Sequence, residues 1–431
     1  SQTFRCRNSV LYQSNQLMSE QLCITNIGHL WGTYDISPIN ALRGRDLGKL
    51  HSISNAFLIS RDGKIASFGQ MEDLHPDHHM PVIDARGGHV FPAWCDSHTH
   101  LVHATSREKE FEMRLHGSTY EEIAAAGGGI LNSANVLRNM DESELYDVCY
   151  QRFQQVQKMG TGAIEIKSGY GLDFDSEVKM LRVIRRLKEL DEIPVKATFL
   201  GAHAFPAEYR NDHEGYLDLI INQMLPYIAG EGLSEYVDAF CDKGFFTPEQ
   251  TARVMEAGAR YGLKPKIHAN ELAVSGGVQV GVAHHAISVD HLEEMDEASI
   301  SVLANSETIG TMLPGCAFFL GIPFPQARNM INANAKLALA SDFNPGTAPS
   351  GNMNMVVSLA CIKMKMTPEE AINAATINGA AAMELTSEVG SITPGKLANL
   401  IITEPIPSLA YFPYAYGHPP ISKVILKGKV V

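Results

Sequence analysis

Paired cysteines are what this 431-residue sequence most plainly lacks. Seven cysteines are present, Cys6, Cys23, Cys95, Cys149, Cys241, Cys316 and Cys361, an odd and scattered set with no C-x-x-C spacing. That argues against a disulfide framework and a cysteine-built zinc site, and for reduced thiols packed as small apolar residues. No apolar run exceeds strand length, so no segment is expected to span a bilayer. The opening SQTFRCRNSV has no apolar stretch of signal-peptide type, and a cytoplasmic chain is expected. Positive charge is scarce too: 35 Lys and Arg stand against 48 Asp and Glu, a formal net charge of −13. Nucleic acid and membrane surfaces, which attract basic faces, are therefore not expected partners. Short repeats and low-complexity tracts are absent as well.

What is present is an ordinary globular mixture, 45% hydrophobic and 19% charged residues, arranged in two patterns. Residues 1–90 alternate short β-type runs with turn signals, as in CITNIGHLWG, NAFLISRDGKIASFGQ and MPVIDARGGHVFPAWCD. Arg61-Asp62-Gly63-Lys64 reads as a hairpin turn between two apolar runs. Residues 390–431 have the same character in GSITPGKLANLIITEP and ISKVILKGKVV, which suggests one small β domain built from both chain ends. In residues 91–389, strand-length apolar runs alternate instead with helix-length amphipathic stretches such as ESELYDVCYQRFQQVQKM and SEVKMLRVIRRLKEL. Eight such runs predict a (β/α)8 barrel of the α/β class: FPAWCDSHTHLV, GAIEIKSG, VKATFLGAH, VDAFCD, KPKIHAN, ISVDHLE, IGTML and KLALASD. An open doubly wound sheet would show the same alternation but would gather its polar residues on the few strand ends at one switch point. Here most runs end in one: His98 and His100, Lys167, His203, Asp242, His268, His291 and Asp342. That array fits the C-terminal face of a barrel.

His98 and His100 stand two apart at the end of the first run, so on a strand both imidazoles face the barrel mouth. An isolated H-x-H is more often a pair of surface or hydrogen-bonded histidines. His268 at the end of the fifth run and Asp342 at the end of the eighth change that balance. Three neutral imidazoles and one carboxylate suit a zinc or iron ion with one position left open for water. His103 is out of phase and belongs to the following loop. Gly127-Gly128-Gly129 is no phosphate loop, because no G-K-[ST] follows it, and it is expected to shape a loop at the barrel mouth.

The order of these residues, H-x-H on the first strand, histidines on the fifth and sixth and aspartate on the eighth, resembles the amidohydrolase superfamily. So does the split β domain with GSITPGKLANLII. TSREKEFEMRLHGSTYEEIAAAGGGI, EIKSGYGL, GAHAFPAEYR, KIHANELAVSGG, SVDHLE and SDFNPGTAP are together similar to the imidazolonepropionase family within it. Ala93 after Pro92, where glycine is usual, and Asn399, where aspartate is usual, are the departures.

The resemblance implies a TIM-like barrel of the amidohydrolase type with a small β-sandwich domain, and a homodimer. It implies one Zn2+ or Fe3+ per chain on His98, His100, His268 and Asp342. The implied reaction is metal-dependent hydrolysis of the lactam C–N bond of 4-imidazolone-5-propanoate, a small anionic cyclic amide, to N-formimidoyl-L-glutamate in histidine catabolism. Asp342 would accept the water's proton. Glu271, three residues beyond His268 in H-x-x-E, would carry a proton to the ring nitrogen, with surface charge or helix capping as its bland alternative. His291 would stand beside the water, or merely support it by hydrogen bonding.

Substrate contacts would come from Arg107, Tyr170, His203, Glu271, Asn344, Gly346 and Thr347. Arg107 offers a bidentate partner for the propionate, against which stands a salt bridge to Glu108, Glu110 or Glu112. Tyr170 adds a hydroxyl donor from a glycine-flanked loop. His203 could instead be a buried histidine with a satisfied partner, and DFNPGTAPSGN a plain turn leading into a helix. Lys167 ends the second strand, not the fourth, where the bridging lysine of two-metal relatives belongs, so one metal is expected. Two other functions compete. One is a deaminase of cytosine- or guanine-like rings, which also uses H-x-x-E beside a metal; the other is a non-catalytic barrel scaffold, which would have lost ligands.

Overall fold

A computed structural model describes residues 20–431 apart from 39, 76, 78, 120, 121, 124 and 125. The opening decapeptide, with Cys6, lies outside the described residues. Among the described residues the other six cysteines are free, and no helix is long and apolar enough to cross a membrane.

Both chain ends meet in one sheet. Leu400–Thr403 pairs antiparallel with Val90–Pro92 on one side and Ile421–Leu426 on the other. Val90–Pro92 joins Gln21–Trp31, which pairs with Ser52–Arg61 and through it with Lys64–Gln70. The hairpin at Asp62-Gly63 has φ of 50° and 77°, the two positive values of a tight two-residue loop. Its apolar side chains, Ile24, Leu30, Leu58, Ile65, Val90, Leu400 and Ile425 among them, form a core of their own.

The other sheet is the expected barrel. Its strands are Trp94–Thr99, Thr161–Lys167, Val195–Ala202, Tyr236–Cys241, Lys264–Ala269, Ser288–His291, Ile309–Met312 and Lys336–Leu339, each parallel to its neighbour in chain order. Strand order that follows chain order has no reversal, which excludes the doubly wound alternative. The helices between strands pack one apolar face on the sheet. Phe174–Glu189, for instance, buries Val178, Leu181, Ile184 and Leu187 at helical spacing. The seam between first and last strands closes just past their ends. Asp342 N–H donates to the His98 carbonyl at 3.0 Å, and His100 N–H donates to the Phe343 carbonyl at 2.9 Å. Ser341 donates from its amide and hydroxyl to Asp96, at 2.9 and 2.5 Å.

Ala93 and Asn399 lie together where the two sheets meet, with Ala93 N–H donating to the Asn399 carbonyl at 2.8 Å. Asn399 Nδ2 donates to the Gly162 carbonyl at 2.8 Å, while its Oδ1 accepts from Lys427 N–H at 2.7 Å. A Cβ on Gly162 would come within 2.5 Å of the Ala93 Cβ, so the strand there must carry glycine.

Below the mouth, the barrel interior departs from the usual apolar filling. Lys167 Nζ lies 2.7 Å from Glu165, 2.9 Å from Asp238 and 3.9 Å from Asp290, all fully buried. Lys266 Nζ, also buried, donates to the carbonyls of Ser97 and Ala382 at 3.0 and 3.2 Å. Burial works against the Lys167 charge, but Asp238, Glu165 and Asp290 outweigh it and raise the pKa. Lys167→Met would strand these carboxylates without their cation, a loss of about 3–5 kcal/mol for a broken buried pair. The expected result is a markedly lower urea midpoint. An unchanged midpoint would show that Lys167 is not their counter-ion.

Candidate active site

At the C-terminal mouth the strand ends bring four predicted residues into one buried cluster. His98 Nε2 is 3.4 Å from Asp342 Oδ1, His100 Nε2 is 3.5 Å from the same oxygen, and the Nε2 atoms of His268 and His100 are 3.3 Å apart. None of the four is more than 3% exposed. Burial first, then neighbouring Lys167 and His268, hold the His98 pKa well below the ordinary value; burial and His203 do the same for His100. Both imidazoles are therefore neutral, the form that binds a metal.

The orientation of two rings is set from beneath. Asp290 Oδ2 lies 2.6 Å from His98 Nδ1, and Asp238 Oδ2 lies 3.0 Å from His268 Nδ1. Carboxylates on the Nδ1 side leave the Nε2 lone pairs aimed at the centre, the usual support of metal-binding histidines. Burial opposes ionisation of Asp238, but His268 and Lys167 outweigh it and lower its pKa.

The donor set fits a cation. Buried His98 Nε2 and Asp342 Oδ2 have no hydrogen-bond partner. The Nε2 atoms of His268 and His100 face each other at 3.3 Å, a separation that a hydrogen bond fits only if one of them carries a proton and that a shared cation fits without one. Bonds of about 2.0–2.2 Å from nitrogen and oxygen to zinc give tetrahedral donor–donor edges of roughly 3.3–3.6 Å, the spacing seen here. Burial, with Glu271 and Glu293 nearby, pushes the Asp342 carboxyl up to about 8, so this carboxylate too calls for a counter-cation.

Glu271 and His291 stand at the same mouth, with Glu271 Oε2 3.4 Å from His291 Nε2. Burial opposes a charge on His291, yet Glu271 and Glu293 raise its pKa well above the ordinary value. Its backbone carries φ of 91°, followed by Leu292 at 70°, and Asp342 has 55°. Side chains rarely adopt such values, which cost about 1–3 kcal/mol each and gather at functional sites. Hydrogen bonds between neighbouring loops hold the strained segment. Leu292 N–H donates to the Ala269 carbonyl at 3.1 Å, Glu294 N–H to the Asn270 carbonyl at 2.8 Å, and Asn270 Nδ2 returns a bond to the Glu294 carbonyl at 2.9 Å.

The remaining predicted residues divide. Tyr170 packs edge-on to His100 and His203, with ring centroids 5.7 and 5.3 Å away, and His203 stacks on His100 at 5.3 Å. These two line the cluster directly. His203 Nδ1 has a partner in the Gly169 carbonyl at 2.8 Å. Burial raises the Tyr170 pKa, which leaves a phenol able to donate. Arg107 takes the salt bridge weighed from the sequence, Nη2 to Glu110 at 2.5 Å, but its buried Nε has no partner. Its guanidinium lies over Gly346, where a Cβ would come within 2.3 Å of Nη1. Asn344 spends its side chain on its own loop. Its Nδ2 donates to the Asp342 carbonyl and Thr347 Oγ1 at 2.7 and 2.9 Å, and its Oδ1 accepts from the amides of Gly346 and Thr347, both at 2.8 Å. His103 lies in the loop after the first strand, its Nδ1 2.8 Å from the His100 carbonyl. The triple-glycine loop is tied to the same pair as Arg107, since Gly129 N–H donates to Glu110 at 2.8 Å.

Sequence reasoning marked Asp242 only as a strand end and passed over the other residues that hold these in place. Glu177 accepts from the amides of Gly169, Gly171 and Leu172 at 3.0, 2.9 and 3.0 Å and so shapes the loop carrying Tyr170. Asp242 accepts from the amides of Glu271 and Leu272 at 2.8 and 2.9 Å. Asp238, Asp290, Glu165 and Lys266 had one legible signal, a charge inside an otherwise apolar strand.

Barrel and mouth cluster together define the class. Residues 89–431 match the model of the amidohydrolase family. Solved structures agree on the fold: guanine deaminase of E. coli superposes with a TM-score of 0.69 at 16% identity, covering 95% of this chain and 99% of that one. A zinc-bound adenosine deaminase from Xanthomonas campestris superposes at 0.65 and 16% identity, covering 95% and 92%. At such identities the likeness speaks for the fold alone. Relatives in sequence are much nearer. The imidazolonepropionase of Christiangramia forsetii is 53% identical over 410 residues, 95% of this chain and all of that one. That of Flavobacterium johnsoniae is 54% identical over 393 residues, 91% and 96%. The chain belongs to the imidazolonepropionase family of amidohydrolases.

The support beneath His98 is open to a direct test. Asp290→Asn removes the carboxylate but keeps its shape, and metal affinity measured by chelator competition is expected to fall about 10–100-fold. Unaltered affinity would mean that the His98 ring is oriented by packing alone.

Proposed function

We propose that this chain hydrolyses the lactam C–N bond of 4-imidazolone-5-propanoate to N-formimidoyl-L-glutamate in histidine breakdown. The observation that carries the reading is the buried mouth cluster of three imidazoles and a carboxylate with Glu271 and His291 beside it. Membership of the imidazolonepropionase family supports the choice of substrate.

His98, His100, His268 and Asp342 would hold one zinc or iron ion. Such an ion supplies a Lewis acid that brings water's ionisation from about 15.7 towards about 7. In this reading Asp342 receives the proton of the attacking water, whose oxygen adds to the lactam carbonyl carbon. Glu271 passes the proton that Asp342 received on to the ring nitrogen as the carbon–nitrogen bond breaks, and its backbone is fixed for this by Asp242. The oxygen ends on carbon and the hydrogen on nitrogen, so nothing leaves the product. His291, held cationic between Glu271 and Glu293, offers a donor to the carbonyl oxygen. Arg107 and Tyr170 take the propionate, with His203 against the ring and the loop of Asn344, Gly346 and Thr347 closing the far side.

Three measurements test this. Purified protein should carry about one zinc or iron per chain and lose it in His98→Ala; absence of stoichiometric metal in the parent would end the metal reading. Imidazolone-propionate should lose its ultraviolet absorbance without release of ammonia. Asp342→Asn should abolish the rate, and Glu271→Gln should lower it about 10²–10⁴-fold. Ammonia released from a cyclic base, with imidazolone-propionate untouched, would establish a deaminase instead. Arg107→Met should raise KM by the equivalent of about 1.5–3 kcal/mol without altering metal content. An unchanged KM would leave Arg107 only its bond to Glu110.

A further inference from the structure

Glu271, His291 and Cys316 form a further buried group of donors, joined through His291 to His98 and His268, with one ligand atom from each of the three lying within 4.8 Å of the others. They come from the mouth ends of three successive strands. Glu271 follows Lys264–Ala269, His291 ends Ser288–His291, and Cys316 sits in the first turn of helix Pro314–Leu320, just past Ile309–Met312. His291 Nε2 is 3.4 Å from Glu271 Oε2, and Cys316 Sγ is 3.6 Å from Glu271 Oε1. The first separation is long for a hydrogen bond between a nitrogen and a carboxylate. The second is a hydrogen bond from the Cys316 thiol to the carboxylate, and both separations also match the edges of a tetrahedron. With zinc bonds of about 2.0–2.2 Å to nitrogen and oxygen and about 2.3 Å to sulfur, the N···O edge is roughly 3.4 Å and the S···O edge roughly 3.6 Å.

We infer that Glu271, His291 and Cys316 are a second, weaker site for a thiophilic divalent cation such as Zn2+ or Cd2+, and that filling it stops catalysis. The inhibition rests on the role proposed for Glu271; the binding does not. A thiolate, an imidazole and a carboxylate favour zinc and cadmium over magnesium or calcium, which prefer oxygen alone. No other donor group among the described residues includes a cysteine. Glu293 lies 3.5 Å from His291 Nδ1 and so backs the second site as Asp290 backs the first. The route in is the mouth itself, where Leu272, next to Glu271, is half exposed. On binding, the Cys316 thiol and the His291 imidazolium each release a proton to solvent, and Glu271, tied to the cation, can no longer carry a proton to substrate.

The test uses the full chain already loaded with its first equivalent of metal and adds Cd2+ in steps. The expected result is one further equivalent whose uptake brings up the near-ultraviolet thiolate-to-cadmium charge-transfer band. Hydrolysis should be inhibited over the same concentration range, and excess Zn2+ should act alike. Cys316→Ala should lose the band, keep the first equivalent by elemental analysis, and need at least tenfold more Cd2+ for half-inhibition. Cys316→Ser, nearer in size, gives the same reading if the alanine variant folds poorly. A second equivalent bound without the band, no second equivalent at all, or inhibition of Cys316→Ala at the parent's concentrations would each overturn the site. Because the band is read without substrate, a protein inactive on imidazolone-propionate would still report on it.

Discussion

The charge of Lys167 is the constraint on which the site depends. Three carboxylates, Glu165, Asp238 and Asp290, lie within 4 Å of its amine and out of reach of water. Ionised carboxylates in such a place would repel one another and cost several kcal/mol each to desolvate. With the ammonium among them, Asp238 and Asp290 can stand as anions under His268 and His98. His98 in turn stays neutral, and both rings present Nε2 upward. A layer that in most barrels is filled by branched apolar side chains is here an ionic platform for the centre above it.

Around that platform the loops are held by side chains that never reach the centre. Glu177 gathers the amides of the Tyr170 loop, Asp242 those of Glu271 and Leu272, and Asn344 those of Gly346 and Thr347. Each is a buried or half-buried polar group that repays its desolvation by satisfying backbone donors that would otherwise be orphaned. The positive φ values of His291, Leu292 and Asp342 persist within this framework, because neighbouring loops bond across them. A stiff surround is what lets strained residues hold one geometry.

The mouth also concentrates anions. Asp342, Glu271 and Glu293 share a small volume, and burial with these neighbours raises Asp342 to about 8. An apolar environment with surplus negative charge is favourable only to positive partners, whether metal or proton. A proton or a metal cation would thus be drawn to this mouth by one and the same electrostatic condition.

Much of this was legible in order along the chain. Alternation of apolar strand runs with amphipathic helices determined the barrel, because strand and helix periods are written locally and eight repeats leave little ambiguity. Polar residues at the run ends, His98, His100, His268, His291 and Asp342 above all, marked the mouth, since every barrel strand points its C-terminus the same way. What the chain order could not carry was which distant groups touch. Asp238 and Asp290 read as stray charges in strands until the barrel closes and sets them under His268 and His98, 30 and 192 residues away in sequence. Glu110 rather than Glu108 or Glu112 takes Arg107, because only its side chain turns inward on the helix Glu108–Leu115. Cys316, an ordinary apolar thiol by composition, becomes a neighbour of Glu271 only when the fifth and seventh strands end at one mouth. Residue types and their spacing thus determined the fold and the donor set. Contacts between side chains far apart in the chain, and with them the charge state and aim of each donor, were decided by closure of the barrel, which alone removes water from between them.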